Sequence, residues 1–185
     1  MLIGLGIIGL VVLVVIGMYN SLIRKKNEIE NAFGGMDVQL KKRYDLIPNL
    51  VATVKQYASH EKETFERITA LRTKASNGNL SEDEKVALDN EITQSLTGIM
   101  VAVEDYPELK ANEQFMQLQR TLNEVEAQIS ASRRSYNSVI TDFNNAVETF
   151  PNSIMAGFMN LKRREVFEIP EVERQNVKVD SLFNS

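Results

Sequence analysis

The sequence predicts an all-α protein: an N-terminal transmembrane helix followed by an antiparallel helical bundle. Three observations predict this fold class. The first 23 residues contain no charged side chain, the remainder repeats apolar residues at helical spacing, and turn residues divide that remainder into segments long enough for helices. With 185 residues, of which 43% are hydrophobic, the chain is long enough for one domain beside the membrane segment.

The segment from Met1 to Ile23 is predicted to be a retained transmembrane helix. A helix needs roughly 20 apolar residues to cross the hydrocarbon core. The segment lacks the basic start and the small-residue cleavage site of a signal peptide. Tyr19 suits an interfacial aromatic, and the basic residues 24–26 suit a cytoplasmic flank. We therefore expect a single-pass protein of the cell membrane, with the N-terminus outside, the bundle in the cytoplasm and the lipid bilayer as a partner.

The first bundle helix is predicted from apolar residues at helical spacing, which continue as far as Ile68. Pro48 lies inside this helix. Proline removes one amide N–H and crowds the carbonyl four residues back, which costs about 3 kcal/mol in a helix interior. The helix is therefore expected to kink or restart at Pro48, with Asp45 as a candidate cap for the restart.

Two further long helices and a short one complete the prediction. Ser81 and Glu84 form a capping-box pattern, so a second helix should begin there and end by Tyr106, before a proline. A third helix, over residues 112–150, has a heptad of large apolar residues: Phe115, Leu122, Ile129, Tyr136, Phe143 and Phe150. The segment "NSIMAGFMNL" supplies a short fourth helix. The predicted units are residues 1–23 for the transmembrane helix, 24–167 for the bundle and 168–185 for an extended or disordered tail.

Catalytic, cofactor and metal motifs are not supported by their surroundings. "GLGIIG" at residues 4–9 matches a dinucleotide fingerprint but has no preceding strand. "SHEK" at residues 59–62 lacks the companion motifs of penicillin-recognising enzymes. One histidine and no cysteine exclude a typical zinc site and the paired Glu-x-x-His motifs of a di-iron bundle. A net charge of −4 argues against nucleic acid as a partner. We predict no enzymatic activity and no cofactor.

Two groups of residues are candidates for structural roles or partner contacts. The first surrounds the predicted bend and comprises Asp37, Arg43, Asp45, Pro48 and Asn49. The second consists of Tyr136, Asn137 and Asn144, because the pair "YN" recurs as "FN" one heptad later. There an aromatic residue lies on the helix seam with an asparagine beside it, a placement that can fix the register between helices.

The sequence resembles the LemA family. The resemblance rests on "DVQLKKRYDLIPNLVATVKQYASHE", "YPELKANEQFMQLQ" and "RRSYNSVITDFNNAVETFP", in that order after a short N-terminal span. It extends from Tyr19 to about Phe167, although Phe143 stands where the family usually has a second tyrosine. The resemblance implies a bacterial single-pass membrane protein with a four-helix bundle and no established activity. The family's kinship to a magnetosome membrane protein, and its association with membrane-stress and membrane-protease systems, imply an accessory or scaffolding role.

Three functions follow as hypotheses. The first is a membrane-anchored interaction module that binds copies of itself, a membrane protease or another membrane protein. The second is a small-ligand or anion binder that uses Asp37, Arg43, Asp45, Arg133 and Arg134, since carboxylates and guanidinium groups gathered at a bend can bind anions. The third is a membrane-remodelling homo-oligomer in which the basic "LKRR" of residues 161–164 contacts lipid.

Overall fold

The computed structural model describes residues 2–58, 61–76 and 80–167, which form helices, turns and one extended segment. The predicted all-α fold class is confirmed. The helices in chain order are α1 (Leu2–Lys55), α2 (Lys62–Ser76), α3 (Glu82–Val103), α4 (Pro107–Lys110), α5 (Glu113–Glu148) and α6 (Asn152–Phe158). Three of them, α1, α3 and α5, are long. The short fourth helix that the sequence predicts corresponds to α6.

Helix α1 joins the apolar N-terminal segment to the bundle without a break. Its side chains are exposed up to Gly17, and from Leu22 onward about one side chain per turn is buried in the core. Helix α5 packs antiparallel to α1. The ring centroids of Phe33 and Tyr136 lie 5.8 Å apart. Arg43, later on α1, pairs with Glu126, which is earlier on α5. One helix therefore serves both as the candidate membrane anchor and as a wall of the core.

Of the two predicted outcomes at Pro48, a kink or a restart, the restart is wrong, because α1 continues through Pro48 to Lys55. Asp45 caps no helix and instead forms an exposed ion pair with Lys41, four residues earlier, at 3.6 Å. The flanking residues Ile47 and Leu50 are 1% and 0% exposed. Burial of each such side chain contributes about 1.5–3 kcal/mol, so packing on both sides of Pro48 offsets the cost of the proline.

The chain instead leaves the helix after Lys55 and turns at residues 56 and 57, where the sequence pattern predicts continued helix. The amides of Tyr57 and Ala58 both donate to the carbonyl of Val54 and close the end of α1. Helix α2 then folds back to contact α1 and α3, which buries Phe65 and Ile68. Apolar side chains continue at helical spacing across this turn, so periodicity does not reveal it.

The predicted boundaries of the second and third helices are close to those observed. Ser81 and Glu84 form the predicted capping box at the start of α3, and Asn112 accepts a hydrogen bond from the amide of Phe115 at the start of α5. The heptad residues of α5 are buried from Phe115 to Phe143. Phe150 is an exception and is 76% exposed, because α5 ends at Glu148 and leaves it in the following turn.

After α6, residues 161–167 form an extended segment that lies along α5; we call this segment the strap. It runs antiparallel to α5, because Arg164 bonds Asn144 and Phe167 bonds the earlier Asn137. Helix α6 itself contacts both α5 and α1. The predicted tail of residues 168–185 and the lone His60 lie outside the described residues.

Candidate interaction site

A buried network of charges joins the three long helices. Asp89 of α3 is 0% exposed, and each of its carboxylate oxygens accepts from a different arginine. The Nη1 atom of Arg43 lies 3.0 Å from Oδ1, and the Nη2 atom of Arg133 lies 2.7 Å from Oδ2. Arg43 also pairs with Glu126 at 2.6 Å, and Arg133 donates to the side chain of Asn90 at 3.1 Å.

This network has the character of a structural element. Two arginines and two carboxylates balance in charge, and both oxygens of Asp89 are engaged. A buried charge whose partner is removed is costly, whereas an intact network fixes the register of the helices that supply it. Asp89 is fully buried and so is not accessible to a substrate, and its two arginines hold α1 and α5 against α3.

The other predicted bend residues lie apart from this network. Asp37 accepts from the Nζ atom of Lys85 on α3 at 2.7 Å, and the same ammonium group lies 5.6 Å from the centre of the Phe33 ring. Pro48 and Asn49 are exposed on the outer face of α1. The sequence-based grouping of these residues around one bend thus corresponds to separate surfaces of a continuous helix.

A cleft of about 380 Å³ opens beside Asp37, between α1, the end of α2 and the start of α3. Charged residues of both signs line it, including Asp37, Asp45 and Lys85. Among the described residues, the Tyr44 hydroxyl and the Nε atom of Arg72 have no hydrogen-bond partner although both atoms are buried. The cleft therefore contains two unused polar groups at its wall.

The second predicted group, Tyr136, Asn137 and Asn144, forms a clamp that holds the strap. Each asparagine pairs with both the N–H and the C=O of one strap residue. Asn144 contacts the backbone of Arg164 at 2.8 and 2.9 Å, and Asn137 contacts that of Phe167 at 2.9 Å twice. These asparagines therefore bind an extended segment of the chain, whereas the sequence pattern suggested a contact between helices.

The spacing of the two asparagines matches the strap. One heptad of helix advances about 10.5 Å, and three extended residues advance about 10 Å. Successive asparagines on α5 therefore meet every third residue of the strap. The two asparagines bond only to backbone groups of the strap, so they favour its extended conformation and do not themselves select the side chains of the residues bound.

Tyr136 completes the clamp from the other side. Its ring stacks on Phe167 with centroids 4.6 Å apart and 13° between the planes. Its hydroxyl donates to Glu82 at 2.8 Å, and Glu82 also pairs with Arg164 of the strap at 3.5 Å. The strap is thereby attached to the N-terminus of α3 as well as to α5.

Sequence reasoning missed Asp89, Glu82 and Glu126. A signal for Asp89 is present, because Asp89, Ile92, Leu96, Ile99 and Val103 follow the alternating spacing of three and four residues that a buried helix face requires. A carboxylate in such a series predicts a buried partner. Glu82 and Glu126 carry no comparable signal, since glutamate is ordinary at a helix start and on an exposed helix face.

Removal of the clamp is expected to release the strap to protease. Asn144 is 4% exposed, and its replacement by alanine leaves the Arg164 backbone without its two partners, a loss of about 1–3 kcal/mol. Since 1.4 kcal/mol is a factor of ten, Asn144→Ala should speed tryptic cleavage within residues 162–164 about tenfold or more. Mass spectrometry of timed digests measures the rate at these bonds.

Asn145→Ala is the matched control for that experiment, because Asn145 is the next residue and its side chain is exposed. Its cleavage rate within residues 162–164 should equal that of the unaltered protein. Equal rates in the Asn144 and Asn145 variants would show that Asn144 contributes nothing to holding the strap.

Alkaline pH is expected to destabilise the bundle through two tyrosines. Burial, followed by the hydrogen bond to Glu82, raises the pKa of Tyr136 above its ordinary value, and burial, followed by Asp89, raises the pKa of Tyr44. Unfolded tyrosine titrates near about pH 10, so above that pH the folded state retains protons that the unfolded state loses. Stability should be fully present below about pH 10 and decline as the pH rises further.

Urea unfolding of the detergent-solubilised protein at a series of alkaline pH values measures this decline. The double variant Tyr44→Phe, Tyr136→Phe should lose less stability than the unaltered protein over the same pH range. An identical decline in both proteins would contradict the assignment to these two tyrosines.

Among the described residues, no group of three or more acidic or histidine side chains is arranged to hold a metal ion. The fold and the site together define a class of protein: an α-helical bundle, internally tied by charge and by a C-terminal strap, carried on an N-terminal apolar helix that is a candidate membrane anchor. The chain belongs to the LemA family, whose family model matches residues 32–181.

Curated relatives agree with this assignment. The chain is 30% identical over 177 residues to Protein LemA of Metamycoplasma hominis, covering 96% of this chain and 81% of the relative. It is 21% identical over 175 residues to the magnetosome proteins MamQ 1 and MamQ 2 of Paramagnetospirillum magneticum. That similarity covers 81% of this chain and 64% of each MamQ protein.

Proposed function

We propose that this protein is a membrane-anchored, non-enzymatic interaction module that holds a helical bundle at a fixed position beside the cytoplasmic membrane. The observation that carries the proposal is the continuity of α1, which runs from Leu2 to Lys55 without interruption. A flexible linker between anchor and bundle would let the bundle rotate freely. A continuous helix instead fixes the height and the direction of the bundle's surfaces relative to the span.

The pairing of the charged residues within the bundle favours a scaffold role over an enzymatic one. Arg43, Asp89 and Arg133 are occupied with one another in the core, and Asp37 is paired with Lys85. General acid–base catalysis needs a titratable group within hydrogen-bond reach of the substrate. Three of the five predicted ligand-binding candidates, Asp37, Arg43 and Arg133, are thus engaged in contacts between helices.

The orientation that we propose places the N-terminus outside and the bundle in the cytoplasm. Arg24, Lys25 and Lys26 directly follow the apolar segment, and basic residues at the end of a span favour the cytoplasmic side. The partner is then a second copy of this chain or another protein of the same membrane, whose approach is restricted to the plane of the bilayer.

Site-specific photo-crosslinking in the native membrane tests the proposal. A photoreactive amino acid at Asn49 probes the outer face of α1, and the same amino acid at Ser138 probes the outer face of α5; both residues are exposed. Adducts are identified by mass spectrometry. We expect a discrete adduct, with a second copy or with one membrane protein, whose yield depends on which of the two faces carries the probe.

Position dependence is the internal control of this experiment. Collisions without a specific interface would give equal and diffuse labelling from Asn49 and Ser138. That result, obtained together with a strictly monomeric particle in mild detergent, would contradict the proposal.

A second candidate function is anion binding in the cleft beside Asp37. The observation that favours it is the pair of buried, unused polar groups on Tyr44 and Arg72, since arginine is the usual partner of planar or tetrahedral oxyanions. Tyr44 is only 7% exposed, so its hydroxyl is shielded from bulk water.

Inorganic phosphate is the probe for this second function. At matched ionic strength, phosphate should raise the melting temperature of the full-length protein more than chloride does, and Arg72→Gln should abolish the difference. A melting temperature that responds equally to both salts, or an unchanged response in Arg72→Gln, would rule out this function.

A further inference from the structure

Helix α6 has two faces of different character, although both are apolar. Ala156 is 2% exposed, and Met155 and Met159 pack against the core from the same side. On the opposite side, Ile154 is 56% exposed and Phe158 is 84% exposed. These two residues are four apart and therefore lie next to each other on one helix face. Large apolar side chains are thus turned away from the protein.

Phe150 enlarges this exposed apolar surface. It lies in the turn before α6, four residues ahead of Ile154, and is 76% exposed. A water-soluble monomer rarely leaves several large apolar side chains exposed together, and such a patch marks a contact with a partner or a membrane. We call the surface made by Phe150, Ile154 and Phe158 the apolar foot.

The packing of α5 on α1 fixes the height of the foot. Phe33 of α1 lies beside Tyr136 of α5, and Arg43, ten residues later on α1, lies beside Glu126, ten residues earlier on α5. The same antiparallel register places Val147 near the level of Leu22, and both are buried. The foot begins three residues after Val147, so it lies at or just beyond that level, towards the N-terminus of α1.

Leu22 is also where the candidate membrane span ends. The uncharged stretch up to Ile23 measures roughly 33 Å from Leu2 as a helix, and the hydrocarbon core is about 30 Å thick. The apolar foot therefore lies at the same height as the boundary between hydrocarbon and headgroups.

Cationic side chains lie at the same end of the molecule. Arg24 follows the span on α1, and Lys162 follows α6; both are exposed. Amphipathic surfaces that rest on bilayers combine apolar residues with Lys or Arg, which attract anionic headgroups.

We propose that the apolar foot is a second membrane contact, in which Phe150, Ile154 and Phe158 insert into the interfacial region of the bilayer that α1 spans. The inference rests on the membrane placement of the proposed function and adds a lipid-binding surface to it. The tilt of a single span is set only by neighbouring helices and by interfacial anchor residues. A second, interfacial contact at the same height would restrain the tilt of the bundle.

Tryptophan fluorescence in lipid nanodiscs tests this contact, because the chain contains no tryptophan. Phe158→Trp places a reporter on the foot, and its 84% exposure means that the fold tolerates the larger ring. Phe150→Trp is a second reporter at a separate exposed site. With lipids brominated in the acyl chains, both reporters should be quenched strongly and emit at shorter wavelength than tryptophan in water.

Two control variants separate failure of this inference from failure of the membrane anchor. Leu10→Trp reports from the middle of the span and should be quenched. Val101→Trp, 66% exposed near the opposite end of the bundle, should not be quenched.

Three other results would each contradict the proposal that the apolar foot contacts the bilayer. Quenching at Leu10 with water-like, unquenched emission at residues 150 and 158 removes the foot and leaves the anchor. Short-wavelength but unquenched emission at residues 150 and 158 shows that protein, such as a second copy, covers the foot. Absence of quenching at Leu10 removes the anchor as well.

Discussion

Replacement of Asp89 by asparagine is expected to lower the free energy of unfolding by about 3–5 kcal/mol, because breaking a buried ion pair leaves an uncompensated charge in the core. Arg133 then retains only Asn90 and the new amide as partners, while Arg43 retains Glu126. An amide also presents one acceptor where the carboxylate presents two. Urea unfolding followed by circular dichroism, with the protein in detergent, measures the change.

Asp45→Asn is the matched control, because it removes the same charge from an exposed pair. The side chains of Lys41 and Asp45 are 77% and 58% exposed, and such pairs contribute about 0–1 kcal/mol. A loss in Asp89→Asn no larger than that in Asp45→Asn would show that the network contributes nothing to stability.

Replacement of Pro48 by alanine is expected to raise the free energy of unfolding by about 2 kcal/mol. Proline is about 3 kcal/mol less favourable than alanine in a helix interior, and α1 passes through Pro48 as continuous helix. Proline also restricts the unfolded chain, which returns about 0.4–1 kcal/mol of stability. The same urea unfolding experiment measures the gain.

Asn49→Ala provides the comparison, since Asn49 is the next residue and is also exposed. Its effect should stay within about 0.5 kcal/mol, as for most surface substitutions. A loss of stability in Pro48→Ala would mean that the core packing of Ile47 and Leu50 depends on the shape that proline gives the helix.

Local signals in the sequence predicted the elements well. The capping box at Ser81, the uncharged first 23 residues and the seven-residue spacing on α5 each lie within one continuous segment of the chain. The structure shows the capping box, a helix over the uncharged segment, and burial of the heptad residues from Phe115 to Phe143. The LemA family resemblance is confirmed by the match over residues 32–181.

The sequence could not predict features that depend on distant partners. Helix α1 ends at Lys55 and α2, which buries Phe65 and Ile68, begins at Lys62, while the apolar spacing in the sequence continues across the break. The pairing of Asp89 with Arg43 spans 46 positions, and that of Glu82 with Arg164 spans 82. Periodicity along one helix cannot identify partners on another.

The asparagine repeat is a case in which the sequence reveals the residues of a contact but not their partner. The spacing of Asn137 and Asn144 was visible in the sequence, and both residues are engaged in a repeated contact. Their partner is an extended strap, which has no period of its own to reveal it. Likewise, Phe150 continues the seven-residue spacing of the heptad, yet it lies outside α5, which ends at Glu148. The heptad spacing alone does not determine where the helix ends.

We propose that α1 joins the candidate membrane anchor and the bundle rigidly, and a distance measured across their junction tests this most directly. The chain has no cysteine, so spin labels can be placed specifically at Asn20 and Asn49, both exposed on α1. A continuous helix predicts a narrow distribution near about 44 Å between these backbones in nanodiscs. A control pair at Asn31 and Asn49, within the bundle, should give about 27 Å. A broad or much shorter distance for the first pair, with the control unchanged, would contradict the claim.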